Sequence, residues 1–139
     1  MKRFLLIITL MLTAFSGHTQ EGKWTIKMNG KILLSTSTED EKTNTKKISL
    51  TEWKKTGSLE LSFTDADPVF WIRSFLLVDE NDVQLFNADS TIKLKISLSK
   101  LRKLFTGKKR IVIYTVARPS NPDIAVRIRR VHLCTLKLP

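Results

Sequence analysis

Cysteine is almost missing from this 139-residue chain, which holds only Cys134. One thiol cannot form an internal disulfide, so the fold must be held by its core. Cys134 lies in an apolar strand pattern and reads as a small buried hydrophobe. Histidine is nearly as scarce, with His18 and His132 alone. Once residues 1–20, read below as an export signal, are removed, His132 is the only histidine, which excludes multi-histidine zinc sites, and Cys134 has no Cys-x-x-Cys partner. Beyond residue 20 the glycines are Gly22, Gly30, Gly57 and Gly107, all widely spaced. No glycine-rich phosphate loop and no G-x-S-x-G nucleophile elbow can be built from them.

Long apolar runs are also lacking, with one exception at the start. Phe4 to Phe15 is broken only by Thr9 and Thr13, follows Lys2 and Arg3, and precedes Ser16, Gly17, His18, Thr19 and Gln20. This charged, apolar, small-residue order is that of a cleavable export signal. The run is also short of the roughly 18 residues that span a bilayer. Residues 1–20 are therefore expected to be a signal peptide. Cleavage after Ser16 fits Ala14 and Ser16, and cleavage before Gln20 fits Gly17 and Thr19. No cysteine follows the run to accept a lipid. Residues 21–139 are expected to form one exported domain, periplasmic or secreted, with no transmembrane segment. That length can bury a core without staples.

Acidic residues are sparse in one part of the chain. The whole sequence has 24 Lys+Arg against 13 Asp+Glu, a net of +11. Residues 21–92 hold 9 basic and 12 acidic residues, whereas residues 93–139 hold 13 basic residues and only Asp123 as an acid. Such asymmetry bears on partners and solubility rather than on fold.

What is abundant is alternation of period two, the strand signature. Trp24, Ile26 and Met28 alternate with polar residues and lead into Asn29-Gly30, a strong hairpin signal. Ile32 to Ser35 is the return strand. Thr36 to Lys47 reads as an exposed polar loop, Ile48 to Leu50 as a short strand, and Thr51 to Gly57 as a turn or one helical turn. Leu59, Leu61 and Phe63 alternate, then Asp65 to Pro68 turns. Val69 to Val78 is apolar on both faces, and Asp79 to Asp82 is a hairpin loop into Val83 to Phe86. Ile92, Leu94, Ile96 and Leu98 alternate. A helix capped by Ser99 and closed by Gly107 places Leu101, Leu104 and Phe105 on one face. Ile111 to Ala117 is a two-faced strand. Ala125 to Leu138 reads as a long last strand whose apolar parity switches near Arg129-Arg130, predicting a bulge. Eight or nine short strands with one short helix in a crossover predict an all-β, antiparallel two-sheet sandwich of immunoglobulin-like or jelly-roll type.

The chemistry-bearing residues are few. His132 and Cys134 are two apart and would share a strand face, as a Cys–His pair requires. No orienting acid adjoins them, and packing is the plainer account. Asp65/Asp67 and Asp79 to Asp82 could offer oxygens to calcium, yet neither shows the glycine and distal acid of a calcium loop, and both suit turns. Trp24 and Trp71 lie in apolar registers and are expected in the core. Trp53, between Glu52 and Lys54-Lys55, is expected to be exposed and could stack on a sugar ring.

The basic C-terminal third is the sharpest feature. Lys100, Arg102, Lys103, Lys108, Lys109 and Arg110 cluster around the helix and its exit, Lys93 and Lys95 share one face, and Arg127 and Arg129 share another. Like charges opposed across strands are destabilising, so these rows must be separated or relieved by an anion or by the acidic first half. The leading expectation is a non-enzymatic exported binding module whose basic surface meets an anionic polymer or an acidic protein surface. Nucleic acid is not expected, given the compartment and the sparse aromatics. Carbohydrate binding through Trp53 is the alternative, and a small hydrolase using Asp65, Asp67 or His132 is the third. No cofactor is expected.

Overall fold

The computed structural model describes residues 22–65 and 68–139. The expected signal peptide and Asp67 lie outside the described residues. Nine strands and two short helices form in the order β1 (Lys23–Met28), β2 (Lys31–Thr36), β3 (Thr45–Lys47), α1 (Leu50–Lys54), β4 (Ser58–Thr64), β5 (Trp71–Val78), β6 (Gln84–Ala88), β7 (Lys93–Ser97), α2 (Leu98–Leu104), β8 (Arg110–Pro119) and β9 (Arg130–Lys137). They make two sheets. One has four strands in the order β2-β1-β4-β7, and the other has five in the order β3-β9-β8-β5-β6. Every pairing is antiparallel except β3 with β9.

The alternating strands form where their period places them. Trp24, Ile26 and Met28 of β1, and Leu59, Leu61 and Phe63 of β4, are all buried. Asn29 and Gly30 both take positive φ, as the tight hairpin between β1 and β2 requires. From the five-stranded sheet, Phe75, Leu77, Ile111, Ile113, Cys134 and Leu136 join the same buried cluster. One core thus draws on both sheets.

The two sheets are tied by a buried polar contact. Trp24 Nε1 donates to the backbone oxygen of Leu133 at 3.0 Å. The indole also stacks on Phe63, with ring centroids 5.9 Å apart and planes 8° apart. The other face of this corner holds Arg73, whose guanidinium lies 3.7 Å from the Phe63 centroid. Arg73 in turn grips both carboxylate oxygens of Asp65.

Several expectations shift. Thr45 to Lys47, read as loop, is a strand, and Leu50 starts a helix instead of ending a strand. The helix α2 begins two residues earlier than expected. Ser97, not Ser99, accepts from Lys100 N, because Leu98 is drawn into the core as the first helical residue. Trp71, expected inside, is 38% exposed at the start of β5. The last strand is shorter than expected, since residues 124–129 pair with no strand. The bulge of β9 falls at Leu133 rather than at Arg129-Arg130: Ile113 faces Cys134, and its neighbour Tyr114 faces His132.

Trp24→Phe keeps an aromatic ring against Phe63 but removes the donor to Leu133 together with the indole's second ring. It should lower the unfolding free energy by about 1–3 kcal/mol in urea titration, the cost of an orphaned buried carbonyl. Trp24→Ala should cost about 3–5 kcal/mol. Equal midpoints for wild type and Trp24→Phe would show that the hydrogen bond does not hold the sheets.

Candidate functional site

The charge asymmetry resolves into ion pairs between the two parts of the chain. Lys95 pairs with Glu60 at 3.4 Å, Lys108 with Asp79 at 2.8 Å, Arg118 with Asp89 at 2.8 Å, Arg129 with Glu39 at 2.9 Å, and Arg130 with Asp82 at 2.9 Å. Each joins a base after residue 92 to an acid before it. The solvent-exposed pairs contribute little individually. Together they relieve much of the repulsion that the basic third would carry alone.

Asp79 shows how tightly an acid can be used. Its side chain is fully covered and sits in the loop between β5 and β6. Oδ1 accepts from the backbone N–H groups of Asn81 and Val83 at 2.9 Å, while Lys108 Nζ meets Oδ2. The Lys108 hydrogen bond, then the Val83 amide, hold this carboxyl below its usual range. The Asp79 carboxylate is thus bound by its own chain. Asp65 is likewise held, by Arg73. Among the described residues no group of three or more His, Cys, Asp or Glu side chains converges as a metal-ligand set.

The expected sharing of a face by His132 and Cys134 fails, because the bulge at Leu133 lies between them. Their partners Tyr114 and Ile113 are adjacent on β8, so the two side chains leave opposite faces. Cys134 enters the core, where burial pushes its thiol up to about 12. His132 lies edge-on to Tyr114 at 5.8 Å, and its Nε2 is 2.8 Å from Thr135 Oγ1.

The remaining basic residues divide by place. Arg102 Nη1 donates to the backbone oxygens of Trp53 at 2.7 Å and Lys55 at 3.2 Å, so it fastens α2 to α1. Trp53, expected to be exposed, is half-buried and packs against the core. Lys100 Nζ lies 4.9 Å from the Phe86 ring centroid. Lys103 is exposed in the last turn of α2. Arg127 is exposed in the segment between β8 and β9.

Lys109 and Arg110 are exposed where β8 begins, and the fold brings two further cations to them. Arg110 faces Lys137 on β9, and Lys137 faces Lys47 on β3. Directly opposed residues share a sheet face. Lys47, Lys137 and Arg110 therefore form a transverse row of three exposed cations across three strands, and none of them is in an ion pair among the described residues. Lys109 precedes the strand and is outside this row, and its backbone N–H donates to Glu80 Oε2 at 3.2 Å. Lys47 and Lys137 were not singled out in the sequence. Only the register of two long-range strand pairings aligns them.

A second polar surface lies on the outer face of the four-stranded sheet. A groove of about 440 Å³ is lined there by Thr25, Lys27, Glu60, Ser62, Lys93 and Lys95, among others. The register sets Thr25, Ser62 and Lys93 in one row and Lys27, Glu60 and Lys95 in the next. Glu60 stands between two lysines and partly neutralises them.

The chain matches no protein-family model, no curated protein and no solved structure.

Two measurements check these placements. A thiol reagent should modify Cys134 only when the protein unfolds; rapid labelling of the native protein would place the thiol outside the core. For His132, burial holds the imidazole below its ordinary value, against the opposing pull of Glu41 and Glu39. The unfolded chain then takes up the proton first, so stability falls as pH drops below about 6.5 and returns above it. The melting temperature of wild type should therefore fall more steeply between about pH 7 and pH 5 than that of His132→Gln. Parallel slopes would assign the pH dependence to other groups.

Proposed function

We propose that this chain is an exported, non-enzymatic β-sandwich that binds an anionic polymer at the Lys47–Lys137–Arg110 row. The shared core between a four-stranded and a five-stranded sheet supports the sandwich. The strand order favours its immunoglobulin-like form. β1-β4-β7 corresponds to strands A-B-E of that fold and β6-β5-β8-β9 to C′-C-F-G, with β2 and β3 as additions. Export rests on the leader-like residues 1–20.

One observation carries the binding proposal. Five bases of the C-terminal third are matched by acids, but the row is left as two like-charge contacts side by side. Such contacts are destabilising by roughly 0.2–1 kcal/mol each. A bound polyanion would turn that repulsion into attraction, because each phosphate, sulfate or carboxylate neutralises a charge and releases counterions. The polymer is not expected to be nucleic acid, on grounds of compartment.

The test is retention on a sulfated-polysaccharide support under a rising salt gradient. Lys47, Arg110 and Lys137 changed together to Gln should elute clearly before wild type. They should also elute before a control in which Lys23, Lys31 and Lys54 are changed to Gln, which loses the same charge elsewhere. Co-elution of the two triple variants would reduce the effect to net charge and overturn the proposal. Lys137→Gln alone removes both like-charge contacts and should stabilise the fold by a few tenths to about 1 kcal/mol while weakening retention.

A further inference from the structure

The opposite end of the five-stranded sheet has a different chemistry. Val69 and Phe70 precede β5 and are 75% and 59% exposed, and Trp71 is 38% exposed. Ile124, Val126 and Ile128, between β8 and β9, are 50%, 41% and 58% exposed. The two segments belong to one end: Trp71 faces Pro119, and Ser120 N donates to Phe70 O at 3.0 Å. The second segment rejoins the sheet at Arg130, opposite Val116. Six large apolar side chains exposed at one end exceed the scattered exposure normal for a protein surface.

Charge indicates what this end meets. Arg127 stands between Val126 and Ile128, is exposed, and has no carboxylate partner among the described residues. Arg118 and Arg129 add positive charge at the same end, each shared with one acid.

We infer that this end docks on an anionic lipid surface. All of the apolar groups but Trp71, the first residue of β5, stand on connecting segments beyond the strands, which suits a deformable apolar phase. Phenylalanine and tryptophan next to arginine match the apolar-to-headgroup boundary, where aromatic rings reside and basic side chains meet anionic headgroups. The inference needs export, as in the function proposed above, but not the cation row at the other end.

The test is co-sedimentation of the full chain with phosphatidylcholine vesicles, with and without phosphatidylglycerol, every variant keeping the same N-terminus. Wild type should bind the phosphatidylglycerol vesicles more strongly. Phe70→Ser with Ile128→Ser should bind them about tenfold or more weakly, since both side chains leave the acyl boundary. Arg127→Glu should lose binding only to the anionic vesicles. All three positions are exposed, so the melting temperature should hold. Quenching of wild-type fluorescence by brominated lipid, absent in Trp71→Phe, reads insertion without altering the rest of the patch. Equal binding by wild type and the double serine variant, or no Trp71 quenching, overturns the inference. So does a lipid-free dimer in wild type that the serine variant loses, which would assign the end to a second copy of the chain.

Discussion

The hydrogen bond from Trp24 to the Leu133 carbonyl is the contact on which the arrangement of the two sheets turns. A carbonyl within a regular ladder is committed to its neighbouring strand. Leu133 is the extra residue of a bulge, so its backbone is displaced from that ladder and can serve the opposite sheet. The indole satisfies it without leaving the core. The same bulge reverses the parity of β9, sending Cys134 inward and His132 to the outer face. One irregularity therefore both ties the sheets and disposes of the one histidine–cysteine pair that could have suggested chemistry.

Charge is organised on a larger scale than any single pair. Acids from the first part of the chain reach the bases of the last third at five places, including Glu39 with Arg129 and Asp82 with Arg130. Glu39 also accepts the His132 backbone N–H at 3.0 Å, beyond the reach of the short strand β3. A carboxylate thus takes the place of a neighbouring strand on part of the β9 edge, one way that proteins keep an open edge from pairing with another chain. Of the cations outside these pairs, Lys47, Lys137 and Arg110 stand at one end of the five-stranded sheet, and Arg127 stands among apolar residues at the other.

Much of the fold was legible because period two is a local signal. β1, β4 and β7, and the Asn29-Gly30 hairpin, needed no knowledge of their partners. What escaped was set by partners distant in sequence. Thr45-Lys46-Lys47 has no alternation and becomes a strand only because β9 offers it an edge. Trp71 looks like core by pattern, yet it starts its strand where the β5–β8 pair runs past β9. Relief by the acidic first half was one of three ways the sequence left open for the basic rows, and the five pairs and their partners follow from the fold. The cation row was invisible for the same reason, since Lys47 and Lys137 are ninety residues apart and meet through register alone.

The clasp joins the first strand to the last, residues 109 apart in sequence. The core cannot close until β9 has been made, and contacts of such separation are slow to form, on the order of milliseconds to seconds for β topologies. In the export proposed above, that delay would be useful. A polypeptide that withholds its final strand stays threadable, and on that proposal only release on the far side of a translocation channel would let Trp24 find its carbonyl.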